Sequence, residues 1–155
     1  MLSPAALHST VYAAVLRDAL ARNRGFSWTL QGESMCPTLP PGCVVTIQPL
    51  QTPRLGDIVV FSQGDRLLAH RLVRRRGDGW ICQGDARRTP DGLITREHII
   101  GRVVEARWGE RVIWAAPESA PTRYRWILRY HLLRAFRLFR RLHREIIVPW
   151  KRPSF

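Results

Sequence analysis

Over most of its length the chain runs as short apolar stretches broken by turn residues, a rhythm with a period of two rather than the longer period of a helix. Residues 26–31 (Phe-Ser-Trp-Thr-Leu-Gln) alternate apolar and polar side chains and predict a strand. A second strand over 43–48 follows the rigid turn Pro40-Pro41-Gly42. Residues 58–61 and 67–73 predict a hairpin through Ser62-Gln63-Gly64-Asp65, a connection with the glycine such turns favour. Residues 80–83, 99–108 and 111–115 add further strands, the last after Gly109-Glu110. Many short strands with Gly and Pro punctuation predict a mainly β fold, an antiparallel β-barrel or sandwich.

The two ends have a different pattern. Residues 1–25 open with Ser3 as a helix cap and Pro4 at the first helical position, then run Ala- and Leu-rich to Arg24 and Gly25, which predicts an N-terminal helix. His8, Arg17, Asp18 and Arg22 interrupt it, so it falls short of the ~20 apolar residues a bilayer span needs. It also lacks the cationic start and small-residue cleavage site of a signal peptide. Residues 117–122, rich in proline, predict a linker between a β-rich core over 26–116 and a C-terminal segment over 123–155. From Arg123 to Trp150 the only acidic residue is Glu145. Leu128, Leu132, Ala135, Phe139, Leu142 and Ile146 recur at helical spacing, and Arg134, Arg137, Arg141 and Arg144 recur on another face. This is the pattern of a basic amphipathic helix, suited either to a membrane surface or to packing its apolar stripe on the core or a partner.

Composition sharpens the question of partners. The 155 residues carry a formal net charge of +13 and a pI near 11.4, which calls for an anionic partner: a membrane surface, an acidic substrate or a nucleic acid. No RNA- or DNA-binding motif accompanies the charge, so nucleic acid is the least expected of the three. Cys36, Cys43 and Cys82 are odd in number and lack Cys-x-x-Cys spacing, which argues against a zinc site or a disulfide framework and for free thiols. No metal or cofactor is expected.

The candidate chemistry lies in Gly32-Glu33-Ser34-Met35-Cys36-Pro37-Thr38-Leu39. Ser34 stands at the end of a predicted strand and before a proline turn, the setting of an exposed nucleophile. Serine needs a neighbouring base at neutral pH, and His70, in the apolar run 67–73, is the candidate, with Arg71 beside it. His8, His98, His131 and His143 have no such setting.

Taken in order, Gly-x-Ser-Met-x-Pro-Thr-Leu, Gly-Asp-Ile-Val-Val-Phe (56–61), His-Arg-Leu-Val (70–73), Gly84-Asp85 and Ile-Ile-Gly-Arg-Val-Val (99–104) resemble the boxes of signal peptidase I and its relatives. The resemblance implies a serine endopeptidase acting on a signal or leader peptide of a precursor protein, with Ser34 as nucleophile. His70 occupies the position of the general base. Of the 25 basic residues only Lys151 is a lysine, and arginine stays protonated, so the resemblance is to the Ser–His variant and not to the Ser–Lys one. Asp91 matches in spacing the acid that completes the triad in Ser–His enzymes, and Asp85 takes a supporting or structural place. Met35 and the strand before Ser34 are expected to line the substrate site. Gly32 stands where many relatives carry a hydroxyl residue that helps hold the oxyanion. A transmembrane anchor usually precedes the serine box in that family. Here the expected location is peripheral, at the cytoplasmic face of a membrane, with contact through 123–150. The alternative is a catalytically silent β-module that binds a membrane or nucleic acid through the basic helix.

Overall fold

A computed structural model of the chain describes residues 4–23, 25–64 and 66–116, together with Leu128 and Leu132. Among the described residues, 4–116 form helix α1 (Pro4–Asn23) and the strands β1 (Phe26–Thr29), β2 (Val44–Gln48), β3 (Ile58–Gln63), β4 (Arg66–Arg76), β5 (Gly79–Gln83), β6 (Leu93–Ile94), β7 (Ile99–Trp108) and β8 (Arg111–Ala115). A single 3-10 turn, Arg96–His98, leads into β7.

The strands form one antiparallel sheet in the order β1-β2-β7-β3-β4-β5-β6, with β8 also paired to β7. It curls into a half-barrel, where the pattern of short strands predicted an antiparallel barrel or sandwich. Strand alternation specifies which residues face inward, but closure depends on register and tilt that the pattern does not encode. The proposed linker over 117–122 lies outside the described residues, as does the C-terminal helix apart from Leu128 and Leu132, which are helical and exposed.

Burial follows the alternation where one face is covered and abandons it where both are. In β2 the exposed and buried residues alternate, with Val45 and Ile47 inside. In β3 the run Ile58-Val59-Val60-Phe61-Ser62 is buried throughout, because each face of the sheet carries its own core. One cluster gathers Leu20, Leu30, Met35, Leu39, Val45, Ile47, Ile58, Val60 and Val103 under α1. The other gathers Val59, Phe61, Leu72, Cys82, Ile94 and Ile99.

Helix α1 closes the first cluster through Leu16 and Leu20. Gly101 of β7 permits this approach: a Cβ there would stand 2.6 Å from Leu20 Cδ2 and 2.7 Å from the carbonyl oxygen of Gln48. No described helix is long and apolar enough to cross a membrane.

Candidate active site

Strands β1 and β2 form a hairpin whose long connection carries Ser34. Its base is closed by Leu30 N–H donating to Cys43 O at 3.0 Å and Gly42 N–H donating to Leu30 O at 2.6 Å. Inside the loop, Cys36 N–H donates to Glu33 O and Leu39 N–H to Met35 O, each at 3.0 Å. Leu39 and Met35 are buried, at 0% and 2% exposure, and pin the loop to the core. Ser34, between exposed Glu33 and buried Met35, is left half-buried.

His70 sits in β4, opposite Val59 of β3. It is fully buried and meets the Phe61 ring edge-on, with centroids 6.0 Å apart. Its Nε2 lies 2.9 Å from Ser34 Oγ and its Nδ1 lies 2.6 Å from Asp91 Oδ2. The Asp91 side chain is only 6% exposed. A carboxylate accepts and cannot donate, so Nδ1 carries the hydrogen facing Asp91. That leaves the Nε2 lone pair to accept from the Ser34 hydroxyl. A serine Oγ–H, an imidazole and a carboxylate thus stand in one hydrogen-bonded line.

The segment after β5 brings the carboxylates in. Asp91 N–H donates to Cys82 O at 2.8 Å, and Ala86 N–H donates to Ser34 O at 2.9 Å. Gly84 is the point of closest approach: a Cβ on it would stand 2.5 Å from Ser34 O and 3.1 Å from His70 Nε2. The two candidate acids of this segment therefore part company. Asp91 faces His70, while Asp85 accepts from Arg71 Nε at 2.9 Å, Arg71 Nη2 at 2.7 Å and Thr38 Oγ1 at 2.5 Å. The remaining arm of Arg71 donates to Gly56 O at 2.9 Å. The guanidinium is 3% exposed, so its charge is carried inside the protein by that carboxylate.

Sequence reasoning named Arg71 only as the neighbour of His70, and gave Thr38 and Gly84, members of the ordered boxes, and Ala86 no role. The signal for Arg71 was its position inside a strand otherwise apolar. An arginine there must be paired if it is buried. Asp57 is a turn residue, accepting from Arg54 N–H at 2.9 Å. Met35, expected to line the substrate site, is buried, and its side chain packs in the core under α1. The loop is coiled by Cys36 N–H to Glu33 O and Leu39 N–H to Met35 O, which sets Met35 and Leu39, four residues apart, together on its buried side. Gly32 is exposed, and a Cβ there would meet nothing within 4 Å.

All three cysteines are free thiols. Burial raises the pKa of Cys82, with the charge of Asp91 adding to it, and burial likewise raises that of Cys43.

A family model described as Peptidase S24-like matches residues 4–104, more than half of the chain and every residue of the hydrogen-bonded line. No curated protein matches.

Proposed function

This chain belongs to the Peptidase S24-like family, and on that premise we propose that it is a serine endopeptidase that removes a signal or leader peptide from a precursor polypeptide. Ser34 is the nucleophile, His70 the general base and Asp91 the carboxylate that orients it. The observation that carries the reading is the single line of contacts at 2.9 Å and 2.6 Å through the two nitrogens of His70.

The chemistry follows from that line. As Ser34 Oγ attacks the scissile carbonyl carbon, Nε2 takes the hydroxyl proton, and Asp91 stabilises the imidazolium through Nδ1–H. The tetrahedral intermediate collapses with cleavage of the C–N bond, and Nε2 returns the proton to the leaving amine. Water then hydrolyses the acyl-enzyme by the same relay. Backbone N–H groups around Ser34 are the donors available for the oxyanion, since Gly32 offers no hydroxyl. The resemblance to signal peptidases of the Ser–His type supports the leader-peptide assignment. Peripheral membrane contact at the cytoplasmic face is assigned to 123–150, supported by exposed Leu128 and Leu132 four residues apart and by the arginine content of that segment.

Labelling with a fluorophosphonate probe tests the proposal without a known substrate. Wild type is expected to be modified at Ser34, and Ser34→Ala and His70→Ala to lose the signal. A wild-type protein that stays unlabelled under conditions that label a Ser–His peptidase control would overturn the reading in favour of a catalytically silent module.

A further inference from the structure

The segment that builds the site also carries charge that the catalytic line does not use. Between Ala86, bonded to Ser34 O, and Asp91, bonded to His70, the chain exposes Arg87 and Arg88. Their backbone is fixed: Arg87 N–H donates to Gly84 O at 2.9 Å, and buried Gln83 donates its Nε2–H to Arg87 O at 2.7 Å. The turn is therefore held at both ends by contacts to the nucleophile and the base, with its middle open to solvent.

Neither side chain forms an ion pair among the described residues, whereas the carboxylates of the same segment are occupied, Asp85 by Arg71 and Asp91 by His70. Of the described acidic residues, the one next to Ser34 in sequence, Glu33, is exposed. Arg87 begins one Cα step of about 3.8 Å beyond Ala86, whose N–H is bonded to Ser34 O, so two exposed cations stand one and two residues along the chain from that contact.

We infer that Arg87 and Arg88 select polypeptide substrates carrying acidic side chains close to the scissile bond. This rests on the peptidase reading above. Exposed pairs of this kind are individually weak and screened by salt, but two of them fixed beside one bond discriminate by charge, and a like-charged substrate is disfavoured as well.

The test uses protection of Ser34 from the fluorophosphonate by two synthetic 12-residue Ala/Leu peptides, one with Glu and one with Lys flanking a central Ala-Ala. The wild type and Arg87→Glu/Arg88→Glu proteins are compared. The neutral probe should label both proteins at similar rates, showing that the catalytic line is intact. In wild type the Glu peptide is expected to protect at roughly tenfold lower concentration than the Lys peptide at low salt, a gap that narrows as salt is added. In the variant the order should reverse. Equal protection by the two peptides in wild type, or an unchanged preference in the variant, overturns the inference while leaving the peptidase reading in place. A wild type that takes no label removes both.

Discussion

Arg71 grips Asp85 with two parallel hydrogen bonds, Nε to Oδ1 at 2.9 Å and Nη2 to Oδ2 at 2.7 Å, and Thr38 reaches the same carboxylate from the serine loop. The strand that holds His70 is thereby tied to the loop that holds Ser34 through a single acidic side chain. Removing one partner of a buried pair strands the other charge. Asp85→Ala is expected to cost about 3 kcal/mol of stability in urea unfolding. Pairing Arg71→Met with Asp85→Leu should recover part of that loss, because no charge is then left inside.

Gly84 sits where no side chain fits. The Cβ of Gly84→Ala would stand 2.5 Å from Ser34 O, a backbone atom, and 3.1 Å from His70 Nε2. The serine loop must retreat, and a shift of about 1 Å between reacting groups costs on the order of a hundredfold in rate. The expected outcome is a loss of that size in probe labelling of Ser34, with far-ultraviolet circular dichroism unchanged.

The two carboxylates of the segment should fail in different ways. Asp91→Asn keeps the shape but lets the amide present N–H to Nδ1, which favours the wrong tautomer of His70. Labelling is expected to fall by roughly 10³–10⁴ with little change in the unfolding midpoint. Asp85→Asn should do the reverse, lowering the midpoint more than the labelling rate per folded molecule.

The close approach of α1 to the sheet makes a separate prediction. In Gly101→Ala the new methyl meets Leu20 Cδ2 at 2.6 Å, which can move, and Gln48 O at 2.7 Å, which is held in the pairing of β2 with β7. Overpacking of this kind costs about 1–3 kcal/mol. Thermal unfolding should show it, while labelling of the folded fraction stays at the wild-type rate, because the change lies away from the hydrogen-bonded line.

Much of this architecture was legible because the chain's chemistry and its strand period agree. Residues 99–108 were readable as a strand from end to end, and Ser34 and His70 stood out from their ordered boxes. The predicted four-residue hairpin loop proved shorter, since Gly64 at φ +58° lets the strands run on to Gln63 and from Arg66. Strand β6, Leu93–Ile94, is too short to carry a period. The inward turn of Met35 was hidden because the Met-x-Pro-Thr-Leu run has no alternation to say which side faces the core. The ion pair of Arg71 and Asp85 was hidden because arginine is exposed by default, and only the fold shows that this one is not.

The Cys82 thiol gives the protein a pH dependence with a definite sign. Burial, reinforced by the charge of Asp91, raises its pKa in the folded state, whereas in the unfolded chain a thiol ionises near about 8.5. The native state therefore keeps its proton where the unfolded state loses one, and the contribution is fully present below about pH 8.5 and lost as pH rises above it. The slope for one such group is about 1.4 kcal/mol per pH unit. Urea unfolding in reductant at pH 7, 8 and 9.5 should show stability falling only over the last interval. Cys82→Ala should be less stable at pH 7 but flatter above pH 8, with a residual slope from Cys43, whose pKa burial also raises. A Cys82→Ala protein with the full wild-type slope would mean that Cys82 ionises in the native state as readily as in the unfolded chain, and that its burial beside Asp91 has no energetic consequence.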